Sequence, residues 1–163
     1  MKAIGTHSGA FQADEALGVF LLRQLKRFAT VPLVRTRDLE KLKPLEIVID
    51  VGGEYDHEKL RYDHHQRGFS ETFGAKWETK LSACGLVYKH YGREVLSALH
   101  PQLASSTDQL EWVFEKVQLL PLQHRPRRLH PTASHSIAPR STGDSFTAYC
   151  TEYITARVST SSL

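Results

Sequence analysis

The sequence predicts an α/β domain built on a mainly parallel sheet. Three observations carry this reading. The run Glu46 to Val51 is a continuous apolar strand closed by Gly52-Gly53, the kind of segment buried on both faces of a parallel sheet. Helical periodicity takes over directly after a first short strand. Two patches of acidic residues and histidine, around His7 and Asp50, fall where strands should end, which is where open α/β sheets hold their ligands.

Lys2 to His7 reads as the first strand, running into a Gly-bracketed turn. From Asp14 the apolar residues Ala16, Leu17, Phe20, Leu21, Leu25 and Phe28 recur at helical spacing, with Arg23, Lys26 and Arg27 outside. Val31 to Thr36 reads as a second strand. Pro32 near its start suits an edge or a strand entry. Leu39 to Lys43 is a short polar helix or turn stopped by Pro44, and the strand Glu46 to Val51 should be central. Glu54 to Arg61 is charged and short. Arg67 to Lys76 reads as a loop, and Thr79 to Tyr91 as a helix that Gly92 ends or kinks. Arg93 to Leu99 adds a further helical turn, and Ser106 opens a last helix through Val117.

Composition bounds the class. The apolar and charged fractions, 40% and 24% of 163 residues, are those of an ordinary globular protein. No run of about 18 apolar residues is present, so no membrane span is expected, nor is a charged-then-apolar leader seen. Cys84 and Cys150 make no disulfide framework, so a reducing compartment is the default. The net charge of +3 lies in the last part of the chain. Residues 1–117 carry 16 basic and 16 acidic side chains and are neutral, so they show no global bias toward nucleic acid. Residues 118–163 hold five Arg, no Lys, four Pro and 13 Ser or Thr without helical or strand period. They are expected to be a disordered tail; the alternative is a small subdomain around Phe146 to Ile154. Histidines 124, 130 and 135 are spaced too irregularly for an expected zinc site.

The chemistry centres on Tyr62-Asp63-His64-His65-Gln66, three metal-competent side chains without a spacer. Carboxylate and imidazole together suit a hard or borderline divalent cation. Asp50 closes an apolar strand, where a lone carboxylate is expensive to bury, and this points to a ligand. His7 and Asp14 sit in the N-terminal patch Gly5 to Glu15. Asp14 is also well placed to cap the first helix. Arg35, Arg37, Arg61 and Arg67 flank the motifs and could hold phosphates or be ordinary charged surface. His57, His90 and His100 are expected to be solvated or packing residues, and Trp77 and Tyr88 to belong to the core.

These stretches, with Val34 to Asp38, Asp50 to Asp56, Arg61 to Arg67 and Thr79 to Tyr88, resemble the DHH phosphoesterase superfamily. More narrowly, the chain looks like the melanocyte-proliferating-gene exonucleases, over nearly all of residues 3–117. The resemblance implies a doubly wound, mainly parallel α/β domain over 1–117 that is a partial DHH-type domain. It implies two Mn²⁺ or Mg²⁺ ions, with His7 and Asp50 on the first, Asp14, Asp50 and His64 on the second, and Asp50 bridging. It implies that Asp63 orients an imidazole, that His65 meets the substrate phosphate, and that the bridging solvent is the nucleophile. The implied substrate is single-stranded RNA, attacked 3′ to 5′, or another phosphodiester. The implied setting is intracellular, in nucleus, mitochondrion or cytoplasm, with the oligomeric state left open. Two positions depart from the pattern. Gln12 stands where the family has His, and a later superfamily Asp has no counterpart, since Asp144 sits in unlike surroundings. A catalytically impaired remnant of the fold, or a small-phosphate hydrolase, are therefore the alternative readings.

Overall fold

The computed structural model describes residues 1–117. The tail 118–163, with its histidines and Asp144, lies outside the described residues. The elements are β1 (Ile4–Thr6), α1 (Ala13–Arg23), β2 (Leu33–Arg35), α2 (Leu39–Leu42), β3 (Ile47–Ile49), β4 (Tyr55–Asp56), β5 (Arg61–Tyr62), α3 (Ala83–Leu99), a 3₁₀ turn (Pro101–Ser105) and α4 (Thr107–Val117). The five strands form one sheet in the order β2-β1-β3-β5-β4. β1 runs parallel to β2 and β3, and β3 runs parallel to β5. Only β4 is antiparallel, paired with β5. β3 is central, as the sequence predicts, and β2 is an edge, one of the two positions that Pro32 allowed.

Side chains alternate across β3, and each face meets a helix. On one face Ile49 reaches α1: a Cβ at Gly18 would lie 2.9 Å from Ile49 Cδ1 and 3.6 Å from Cys84 Cα of α3. On the other, Val48 packs with Ala3, Leu42, Leu45 and Val51, and Val34 lies against them. The sheet is thus covered on both sides. Among the described residues, no helix is long and apolar enough to cross a membrane.

Three segments differ from the sequence expectations. α1 ends at Arg23 rather than near Phe28. Leu25 and Phe28 still enter the core, each 1% exposed, on a turn whose Phe28 and Ala29 carbonyls accept hydrogen bonds from Arg23. The charged stretch after Gly53 is a hairpin, β4 to β5, too short for alternation to show. α3 begins at Ala83, where Ser82 Oγ accepts the Gly85 N–H, and runs through Gly92 to Leu99. Gly92 does not end the helix; it is there because a Cβ would lie 2.7 Å from Phe114 and 2.8 Å from Tyr88. Tertiary packing of α4 on α3 outweighs the helix-breaking tendency of glycine.

Gly92→Ala should therefore destabilise the chain by about 1–3 kcal/mol through overpacking, although alanine favours a helix by roughly 1 kcal/mol over glycine. Urea unfolding of the two proteins checks the sign; an alanine protein as stable as the parent would mean that the two rings move aside freely.

Candidate functional site

The ends of three adjacent parallel strands converge. His7 follows β1, Asp50 follows β3, and Asp63, His64 and His65 follow β5. Two backbone bonds fix the approach: Asp50 N–H donates to the Tyr62 carbonyl at 3.0 Å, and Asp63 N–H to the Glu54 carbonyl at 3.0 Å. Asp50 takes a left-handed backbone, φ 57°, which a residue with a side chain adopts only where its surroundings enforce it. The turn continues through Gly52 and Gly53, at φ 105° and 68°, where glycine is the natural choice.

The carboxylate of Asp50 is the hub. Its Oδ2 lies 3.5 Å from His7 Nε2, and its Oδ1 lies 3.2 Å from His64 Nε2 and 3.6 Å from His65 Nδ1. His64 Nε2 is also 3.2 Å from Asp14 Oδ2, and His7 Nε2 is 3.2 Å from Glu15 Oε1. Two sets of donor atoms, Asp50 with Asp63, His64 and His65, and Asp50 with His7 and Glu15, each lie within 4.8 Å of one another. Asp50 belongs to both.

Each carboxylate is held differently. Asp14 does not cap α1, whose N-cap is Gln12; from the first turn of α1 it reaches the N-terminus of α3, where its oxygens accept the Ala83 N–H at 3.0 Å and the Cys84 N–H at 2.6 Å. Burial pushes its pKa up, but the bonds from His64 and Cys84 outweigh burial and bring it down to about 2. Asp63 is similarly raised by burial and lowered further by His65, with a net lowering. Its Oδ2 accepts the Gly53 N–H at 2.6 Å, and its Oδ1 the His64 N–H at 2.8 Å. Its Oδ1 also lies 2.7 Å from His65 Nδ1. Asp63 therefore orients His65, whose ring is exposed on its other side. Burial disfavours a proton on His64, but Asp14 and Asp50 more than restore it, and its pKa rises to about 9. At neutral pH, without a bound cation, His64 carries a proton between two carboxylates.

Glu15 was not singled out from the sequence, where it reads as an ordinary acid of a first helical turn. It is fully buried. Its Oε1 accepts the Gln12 N–H at 2.8 Å as well as facing His7. Its Oε2 has no hydrogen-bond partner among the described residues, and Asp50 Oδ1 faces the His64 and His65 imidazoles. Buried carboxylate oxygens amid imidazoles make a site suited to a divalent cation. A cavity of about 270 Å³ opens beside them, lined by His7, Gln12, Arg37, Asp50, Gly52 and His65 among others.

Of the arginines singled out, Arg37 lines this cavity. Arg35 turns instead to the Gly9 carbonyl, and Arg61 holds the carbonyls of Lys43 and Leu45. Arg67 is exposed and does not line the cavity. His57 and His90 stack on each other at 3.7 Å among Tyr55, Tyr62 and Tyr91, a packing role as expected. Burial lowers the His90 pKa to about 4. Tyr88 and Cys84 are core residues.

The model of the family MYG1_exonuc, described as Uncharacterised protein family (UPF0160), matches residues 3–121. The chain is 53% identical over 114 residues to the MYG1 protein of Schizosaccharomyces pombe, a match covering 70% of this chain and 35% of the relative. It is 55% identical over 101 residues to the mouse protein named MYG1 exonuclease, covering 59% of this chain and 27% of the relative. For the human protein of that name the identity is 54% over 101 residues, again 27% of its length. The chain thus spans about a third of these relatives or less. No solved structure matches it.

Two of the shifted groups, Asp14 and His64, make the stability of the metal-free protein depend on pH. Asp14, lowered from 3.8 to about 2, contributes stability present above its unfolded value and lost as pH falls through about 2. His64, raised from 6.5 to about 9, contributes stability present below 6.5 and lost as pH rises through about 9. With chelator present, the contribution of this pair should be fullest between about 4 and 6.5. His64→Gln should flatten the alkaline fall in melting temperature; an unchanged fall would place its cause elsewhere.

Proposed function

This chain belongs to the MYG1_exonuc family, and on that premise we propose that its pocket is a metal-dependent phosphoesterase site of the DHH type, acting as an exonuclease on single-stranded RNA from the 3′ end. The observation that carries the reading is the shared carboxylate of Asp50, buried at the meeting of two donor sets. The relatives' name, MYG1 exonuclease, supports the nuclease class.

In this reading His7, Glu15 and Asp50 hold one Mn²⁺ or Mg²⁺ ion, and Asp14, Asp50 and His64 a second, with Asp50 common to both. Bound there, such cations lower the pKa of a coordinated water and neutralise charge on a phosphoryl oxygen. The chain's own groups do the rest. His64 Nε2 stands 3.2 Å from both Asp14 and Asp50, so its proton would have to leave before these residues could hold a cation. Asp63 fixes His65 with its Nε2 toward the open side, where it donates to a phosphate oxygen. Arg37, at the cavity wall, binds the phosphate as a cation. The backbone at Gly52 leaves open space, with nothing within 4 Å of a built Cβ, for the phosphodiester to approach.

One observation favours the alternative, an impaired remnant that still binds metal. Gln12 lines the cavity where the resemblance puts a histidine, and an amide is a weaker donor than imidazole. Glu15, beside it, supplies a buried carboxylate that offsets this.

The full chain with Mn²⁺ should release mononucleotides from single-stranded RNA, and Asp50→Asn should lose at least about a hundred-fold in rate. Activity unaffected by Asp50→Asn, or metal binding without cleavage of any phosphodiester, overturns the enzymatic reading. Calorimetry tests the ligand set separately: Glu15→Gln should weaken Mn²⁺ binding about ten-fold or more, and equal affinities would remove Glu15 from it.

A further inference from the structure

We infer that the exposed ring of Phe11 is a stacking platform for a nucleobase of a single-stranded nucleic acid whose phosphodiester lies in the His7–Asp50–His65 cavity; the inference rests on the phosphoesterase reading above. Phe11 is 66% exposed, an unusual position for a large apolar ring, and it directly precedes Gln12 at the cavity wall. The ring is not loose. The guanidinium carbon of Arg35 lies over it, 3.7 Å from the centroid. A terminal nitrogen of that guanidinium donates to the Gly9 carbonyl at 2.6 Å, and the Gly9 N–H donates to His7 Nδ1 at 3.1 Å. A side chain at Gly9 would be tight: a Cβ would lie 3.1 Å from His7 Nδ1 and 3.2 Å from the Arg37 guanidinium. One short chain of contacts therefore ties Phe11 to the imidazole proposed to hold a cation.

The arrangement leaves one ring face on a cation and the other in water. Holding it has a cost, because Arg35 Nε is buried without a hydrogen-bond partner among the described residues. A ring that served only to cover Arg35 would be replaceable by any apolar side chain of similar size. A ring fixed beside a phosphate pocket presents what a base needs, a flat apolar face at a set distance from its own backbone. Every base has such a face, so stacking accepts any sequence while rejecting phosphates that carry no base. The inference thus separates a polynucleotide substrate from inorganic pyrophosphate at the same pocket.

The test uses the full chain and a short, phosphorothioate-linked single-stranded RNA ending in 2-aminopurine, beside the same RNA with an abasic last residue. Both ends of the strand are labelled in turn. Wild type should quench the 2-aminopurine fluorescence and bind that RNA about ten-fold more tightly than the abasic one. Phe11→Leu, which keeps apolar cover over Arg35, should lose both the quenching and the preference. Phe11→Trp should keep both. Quenching and preference that persist in Phe11→Leu overturn the platform, as does equal binding of the two RNAs by wild type, which leaves the phosphoesterase reading standing. If wild type binds neither RNA, that reading falls and the platform with it.

Discussion

The burial of one carboxylate at the tip of the central strand is the constraint on which the rest of the structure depends. Asp50 is 4% exposed and its backbone is left-handed, so both its solvation and its torsion are unfavourable in isolation. The sheet order explains how it is held. β3 lies between β1 and β5, and the segments after those neighbours deliver His7 on one side and Asp63 to His65 on the other. An order that moved β1 or β5 away from β3 would leave Asp50 with imidazole on one side at most.

The electrostatic balance follows from that placement. Asp14 and Asp63 are satisfied by backbone N–H groups: Asp14 by the first turn of α3, Asp63 by Gly53 and its own two successors. Glu15 keeps an oxygen without a donor among the described residues, and Asp50 Oδ1 faces the His64 and His65 imidazoles. The chain thus settles the outer carboxylates with its own amides and leaves the inner ones to imidazole. Close to Asp50 stands the proton on His64, and a guanidinium, Arg37, stands at the cavity wall. A site so composed has spare negative charge at its centre and positive charge at its entrance, which is the polarity an anionic phosphodiester bound through cations requires.

Much of this was legible in the sequence. β1, the start of α1, the strand β2 and the central β3 followed from apolar runs and breakers, because each is a local pattern. The set His7, Asp14, Asp50 and His64 came from the family resemblance, and these side chains do lie together. What escaped depends on tertiary context. The β4–β5 hairpin has strands of two residues, too short for a period. α3 runs through Gly92 because two aromatic rings need the space. Glu15 was not singled out in its patch, because only the packing of α1 turns it inward. Arg35 and Arg37 alternate on one edge strand and its exit, and only the packing of the Gly9 loop sends the first to Phe11 and the second to the cavity.

The clamp between Asp14 and α3 has a further consequence. The first amides of a helix have no acceptor within it and normally exchange their protons quickly with solvent. Those of Ala83 and Cys84 are bound by a side chain 69 and 70 positions earlier in the chain. Their hydrogen-exchange rates therefore read the seating of a carboxylate in the pocket, not the fraying of a helix end. Two backbone protons remote in sequence from every strand-end motif become a label-free gauge of whether the site is assembled.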